Sequence, residues 1–230
     1  MTSPIRRARR KGKAAARLIP PALALWLCAC SSNNSTDWEQ AYKAVQAAFD
    51  SSASAVTLQQ AAAVPYASMG VRIDGGPEQM VVLAGGQTGP LLWTSAARIA
   101  LETQNGRIIR TSGLPSNLGT TTFSTPDPLA TIEASPSPAE YRRTVDLPDQ
   151  NIYSVALDCT MQAAGRETIK ILGQDIPTLR VEEHCRSGRL DWDFTNEFWL
   201  GESSGFVWRS RQYIHPKLGA IDTEILRPPG

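Results

Sequence analysis

Arg98-Ile99-Ala100-Leu101-Glu102-Thr103-Gln104-Asn105-Gly106-Arg107-Ile108-Ile109-Arg110-Thr111 is the stretch that decides the fold. Two β-prone runs, 98–103 and 107–111, flank Asn105-Gly106. Both turn residues tolerate positive φ, which a tight two-residue reversal requires, so this stretch predicts a β-hairpin. The same pattern recurs outward. Upstream, runs 67–73 and 79–84 flank Asp74-Gly75-Gly76-Pro77, and 91–94 follows. Downstream, runs 141–147, 154–161, 167–172, 178–185, 190–200, 206–214 and 221–226 carry the same β signature. Residues 114–138 are rich in Ser, Thr and Pro, and read as a long ordered loop or a break between two halves. About a dozen short strands joined by turns predict a mainly β chain: an antiparallel barrel, half-barrel or sandwich.

Ahead of the strands, Asp37 can cap a helix over 38–49, where Trp38, Ala41, Tyr42, Val45, Ala48 and Phe49 recur at helical spacing. Residues 51–63 are Ala-, Ser- and Gln-rich and fit helix or loop.

The first 29 residues read as an address. Seven basic side chains (Arg6, Arg7, Arg9, Arg10, Lys11, Lys13 and Arg17) precede the apolar run 18–29. A basic region followed by a short apolar one is the pattern of a bacterial export signal. At 12 residues the run falls short of the roughly 20 a membrane-spanning helix needs. Leu27-Cys28-Ala29-Cys30 resembles a lipobox, with Leu at −3 and a small residue at −1 before the cysteine to be lipidated. Cys28 has Leu27 and Trp26 before it, both too bulky for that pattern, so Cys30 is the predicted lipid attachment point. The alternative is an ordinary cleaved signal with an incidental cysteine. Acyl chains contribute about 0.8 kcal/mol per buried methylene, and several together make attachment effectively permanent. Ser31 is not the Asp that commonly retains lipoproteins in the inner membrane, which favours the outer membrane. The expected organisation is a signal peptide over 1–29, a lipidated tether over 30–36 and one β-rich periplasmic domain over 37–230.

Removing the seven leader charges leaves 16 basic against 22 acidic residues, a net −6 for residues 30–230. Binding to nucleic acid needs the opposite excess, so that class is excluded. Cys159 and Cys185 remain after export, and an even count in an oxidising compartment reads as a disulfide. A further strand over 167–172 would then lie between the bridged ones. A metal site would need more ligands, and on a strand His184 and Cys185 point to opposite faces.

Other motifs yield to plainer readings. Gly201-Glu202-Ser203-Ser204-Gly205 matches the nucleophile elbow of α/β hydrolases, but an aromatic, β-branched run follows it instead of a helix. It reads as a hairpin loop. Asp191 and Asp193 share one strand face beside Trp192, as a glycosidase pair would. Glu197 with Arg209 or Arg211 offers ordinary cross-strand pairing on the same hairpin. His184 and His215 are isolated. Trp192, Phe194 and Phe198 share one strand parity and Trp199 has the other, while Trp93 and Trp208 sit in separate runs; core packing explains most of these, and one or two exposed rings would be able to stack on a sugar face.

Several segments, in order, resemble the YjbF/GfcB family of bacterial lipoproteins, the group 4 capsule polysaccharide lipoproteins. They are Val64-Pro65-Tyr66-Ala67-Ser68-Met69-Gly70-Val71, Asn105-Gly106-Arg107-Ile108-Ile109-Arg110-Thr111-Ser112-Gly113-Leu114, Asp127-Pro128-Leu129 and Val181-Glu182-Glu183-His184-Cys185. Trp192-Asp193-Phe194-Thr195-Asn196, Gly205-Phe206-Val207-Trp208-Arg209-Ser210 and Glu224-Ile225-Leu226-Arg227-Pro228-Pro229 complete the set. Ala96-Ala97 departs from the polar turn more usual in the family, which puts the local strand pairing in question. The resemblance implies a non-enzymatic accessory of exopolysaccharide or capsule production or export. It would sit on the periplasmic face of the outer membrane, held by its N-terminal lipid. Implied partners are that membrane and either the polysaccharide or proteins of the export machinery. No catalytic residue, cofactor or metal ligand is implied. Two other classes compete: a lipid or lipoprotein carrier, which needs a continuous apolar cavity, and a glycan-modifying enzyme, which needs convergent carboxylates in a cleft.

Overall fold

Alternating apolar and polar residues build one antiparallel sheet of 12 strands. The computed structural model describes residues 55–86, 89–132 and 138–230. The leader, Cys30, the tether and the helix expected over 38–49 lie outside these residues. The strands are β1 (Ser68–Ile73), β2 (Gln79–Gly85), β3 (Leu91–Thr94), β4 (Ala100–Gln104), β5 (Arg107–Ser112) and β6 (Thr121–Phe123). There follow β7 (Ala139–Leu147), β8 (Ile152–Ile171), β9 (Gln174–Ser187), β10 (Trp192–Gly201), β11 (Val207–Gln212) and β12 (Ile221–Arg227). A short helix, α1 (Leu58–Ala63), settles the end of the ambiguous 51–63 stretch as helical; Thr57 and Gln60 form its capping box.

The sheet order is β5-β4-β3-β2-β1-β12-β11-β10-β9-β8-β7-β6. Two meanders, β1–β5 and β6–β12, are joined where β1 pairs with β12. That leaves β5 and β6 as the two edges, and unpaired edge groups invite foreign strands. The chain between them spans the seam. Thr111 N donates to Leu118 O at 2.9 Å on one side, and Gly119 N to Asp146 O at 2.8 Å on the other. Asp146 N returns a bond to Thr120 O at 3.0 Å. The result is a nearly closed up-and-down barrel.

The Asn105-Gly106 turn sets β5 against the far wall. Asn105 (φ 50°) and Gly106 (φ 80°) both adopt left-handed geometry. A Cβ on Gly106 would lie 2.3 Å from Val207 Cβ, so glycine is needed for contact as well as for φ. Gln212 of β11 then reads this edge like a missing strand. Its Oε1 accepts from Ile108 N and its Nε2 donates to Gly106 O, both at 2.9 Å.

Side chains fill the barrel. In β10, Trp192, Phe194, Phe198 and Leu200 are buried, while Asp193 and Thr195 face solvent. Val155, Leu157, Met161, Val181, Leu101 and Trp93 meet them inside. Each such side chain contributes about 1.5–3 kcal/mol over leaving it exposed. The void between Trp93, Thr103, Gly106 and Val207 measures about 30 Å³. That is room for a water, not for an acyl chain.

Four expectations need correction. Strands β8 and β9, at 20 and 14 residues, are not short. Residues 167–172 do not make a separate strand between the cysteines, because 152–171 runs as one strand and absorbs Gly165 (φ 140°) at a register shift. The stretch 114–138 is not only loop, since it contributes β6. Ala96-Ala97 does not disturb pairing: Arg98 N donates to Ser95 O at 3.1 Å, and β3 pairs with β4 across that turn.

The β8–β9 hairpin outruns its neighbours. β7 pairs with β8 only as far as Met161, and β10 with β9 only from Thr178. The remainder arches over the outer face of the sheet. Leu172 at its tip packs on Ala61, Val64 and Met80 beneath α1, and Arg209 of β11 donates to Lys170 O at 2.9 Å.

Candidate functional site

Two concentrations of chemistry stand out, one inside the barrel and one outside. Inside, β5 delivers Arg107, β7 delivers Tyr141 and Arg143, β9 delivers Glu183 and β10 delivers Asn196. Arg107 Nη1 lies 2.8 Å from Glu183 Oε1, and its Nε donates to Asp127 Oδ2 at 2.6 Å. Glu183 also accepts from Tyr141 Oη and, at 2.6 Å, from Asn196 Nδ2. Arg143 Nη2 stands 3.4 Å from the same carboxylate. The rings of Phe123 and Phe198 lie 5.4 and 5.2 Å from the Arg107 guanidinium carbon.

Two buried cations thus face two carboxylates. Burial alone would push the Glu183 carboxyl up, but Arg107 and Arg143 outweigh it and hold it at about 2. Burial raises the Tyr141 phenol, so it stays a donor. Burial also lowers Arg143, whose Nε finds no hydrogen-bond partner. A carboxylate this saturated has no lone pair to spare for a substrate. The cluster ties one edge of the barrel to its opposite wall.

The disulfide joins Cys159 to Cys185, which sit directly opposite one another on β8 and β9. Both sulfurs and the Glu183 carboxylate lie within 4.8 Å of one another. Sulfurs bonded to each other offer no thiolate, so this group does not fit a metal ion.

Outside, a cavity of about 590 Å³ lies between the β8–β9 arch and the outer face of β10–β12. Opposite parity to Phe198 places Trp199 on this face, half-buried and lining the cavity. Its indole N–H donates to Glu167 Oε1 at 2.6 Å, and the Arg209 guanidinium carbon lies 6.0 Å from its ring. Arg209 Nε donates to Glu224 Oε1 at 2.9 Å, and Arg211 pairs with Asp222 at 3.3 Å. Lys170 and Leu172 close the cavity from the arch, and Val56 and Glu78 from the α1 side.

Most residues singled out in the sequence lie apart from both places. Ser203 is exposed in the β10–β11 turn, and a strand follows it. Asp193 is exposed and paired with Arg186 at 2.7 Å, and Asp191 sits in the turn before β10. Glu197 stands opposite Arg211 in register, yet its ion pair is with Arg180 at 3.4 Å, because β9 lies on its other side. His184 is exposed on the outer face near Asp193. His215 is buried and accepts from Lys217 N at 3.0 Å. Cys30 lies outside the described residues. Sequence reasoning missed Arg107, Arg143 and Glu183. The signal was there in Val181-Glu182-Glu183-His184-Cys185, where Glu183 shares the buried parity of Val181 and Cys185.

A nearly closed barrel with a packed interior, an ion cluster at its seam and a cavity outside its wall defines a β-rich body without an internal ligand chamber at the void described. Family comparison places it further. The model of the family described as group 4 capsule polysaccharide lipoprotein GfcB/YjbF matches residues 18–226, and the chain belongs to that family. It is 29% identical over 212 residues to the uncharacterized lipoprotein GfcB of Escherichia coli K12, covering 92% of this chain and 98% of that one. It is 26% identical to the uncharacterized lipoprotein YjbF of the same organism, covering 71% and 76% of the two chains. The crystal structure of the hypothetical lipoprotein YmcC from Escherichia coli superposes with a TM-score of 0.68 at 29% identity, over 82% of this chain and 95% of that one.

Proposed function

We propose that this chain is a non-enzymatic accessory of capsule or exopolysaccharide export, held on the periplasmic face of the outer membrane by acylated Cys30. The observation that carries the reading is the extent of the family match, which spans residues 18–226. That span takes in the lipobox read from the sequence as well as the β body, which supports the anchored reading. The non-enzymatic part draws support from the acids: Glu183 is saturated inside the barrel, and Asp193 is tied to Arg186 on an open surface. Among the described residues neither converges with a second free carboxylate, and the cavity acids Glu224 and Asp222 are paired with Arg209 and Arg211, whereas glycoside hydrolysis requires two working carboxyls. The partners are the outer membrane, through the lipid, and the polysaccharide or the export machinery. The test is a clean deletion with polymer quantified separately in cells, periplasm and medium. Loss from the medium with retention in the periplasm is expected. An unchanged distribution would overturn the reading.

A further inference from the structure

The outer cavity is the feature that the barrel itself does not explain. A sheet that only needed to close would end β8 where β7 ends, at Met161. Instead ten more residues carry β8 across the outer face, and they create a walled concavity in place of a flat surface. Its volume of about 590 Å³ falls within the 300–1,000 Å³ typical of ligand sites.

The chemistry of the walls narrows the ligand. A lipid would need continuous apolar lining, and this one is interrupted by Lys170 of β8, Arg209 and Arg211 of β11, and Asp222 and Glu224 of β12. A phosphate or other compact anion would need free cations, yet Arg209, Arg211 and Lys170 each already face a carboxylate, Glu224, Asp222 and Asp175. A ligand with many hydroxyls meets neither objection. Each hydroxyl can donate to a carboxylate and accept from its partner guanidinium, so both members of an ion pair are used without net charge on the ligand. Trp199 adds a flat apolar ring, which suits the C–H face of a pyranose. That ring is fixed before any ligand arrives, because Glu167 from the arch holds its N–H at 2.6 Å. A ring tethered at its N–H by Glu167, with the Arg209 guanidinium over it at 6.0 Å, loses little freedom on binding.

We propose that the cavity between the β8–β9 arch and the outer face of β10–β12 binds a stretch of polysaccharide, with Trp199 as the stacking platform. The Arg209–Glu224 and Arg211–Asp222 pairs are the hydroxyl partners. This deepens the export reading and rests on it for the identity of the polymer, but the binding can be measured separately.

The probe is a set of oligosaccharides made by mild acid hydrolysis of the strain's own secreted polysaccharide, titrated into the full mature lipoprotein in detergent. Tryptophan fluorescence and calorimetry report binding, and thermal melting reports folding. Saturable binding is expected, with Trp199→Ala weakening it by about tenfold or more, as loss of a central aromatic anchor does. Arg209→Gln should also weaken it, and Trp199→Phe, which keeps a ring, should weaken it less than Trp199→Ala. Melting of the variants within a few degrees of the parent makes the losses local. Absence of binding by the unaltered protein would overturn the proposal, and so would equal binding by parent and Trp199→Ala. If deletion stops export while the protein binds no oligosaccharide, the cavity proposal fails and the export reading stands. If the protein binds through Trp199 while deletion leaves polymer distribution unchanged, the export reading fails and the site stands.

Discussion

Arg107 and Glu183, 76 positions apart, meet at 2.8 Å inside the barrel, each with almost no exposed surface. One stands on the edge strand β5 and the other on β9, eight steps away through the sheet order. Their contact closes the barrel through side chains where backbone pairing stops. A buried pair of this kind is held by mutual dependence, since either partner alone would be an uncompensated charge in an apolar interior.

Removing both partners should therefore cost clearly less than the sum of removing each. Glu183→Gln leaves Arg107 and Arg143 with only Asp127 opposite them, and should lower stability by about 3–5 kcal/mol. Arg107→Met should cost a similar amount. The double variant should lose clearly less than the sum of the two. Urea unfolding of all four proteins gives the coupling directly.

Acid should unfold the protein through the same carboxylate. Glu183 titrates at about 2 in the fold against an ordinary value of 4.5. A depressed carboxyl contributes stability that is fully present above the unfolded pKa and lost as pH falls through the folded one. The stability it supplies, about 3 kcal/mol, should therefore disappear between pH 4.5 and 2. Unfolding free energy measured across that window should fall steeply in the parent and much less in Glu183→Gln.

The disulfide should be structural. Cys159 and Cys185 are both buried, and the hairpin they fasten carries the arch. Replacing both with Ser should reduce stability by about 2–5 kcal/mol. Thiol labelling of denatured, unreduced protein should find neither sulfur free.

Gly106→Ala tests whether the turn also serves as a contact. The substitution forces a side chain into positive φ and brings its Cβ within 2.3 Å of Val207. A cost of about 1–3 kcal/mol is expected from backbone strain alone. A companion Val207→Ala that recovers part of the loss would show that the remainder is steric.

How far the sequence could be read follows from the range of the interactions. Asn105-Gly106 announced its hairpin because a two-residue reversal is decided by its own φ angles. The run after Gly205 exposed the elbow motif as a turn for the same local reason. Length was harder to read. Nothing between 152 and 171 signals that β8 outruns β7, because that depends on where Ala139 begins pairing with Met161. The ion cluster was hidden for a further reason. Arg107, Tyr141 and Glu183 come from three strands, and only closure brings them together. Alternation marks Glu183 as inward, but its partners are a property of the barrel. Trp199 showed its opposite parity in the sequence, while the wall facing it comes from an arch that periodicity does not describe.

The central claim is that this β body acts in polymer export from a lipid anchor. The most direct measurement is polymer released into the medium by a deletion strain complemented with the parent chain or with Cys30→Ser at matched protein levels. The parent should restore release, and Cys30→Ser, which has no thiol to acylate, should leave it near the deletion level. Equal restoration by both chains would contradict the account.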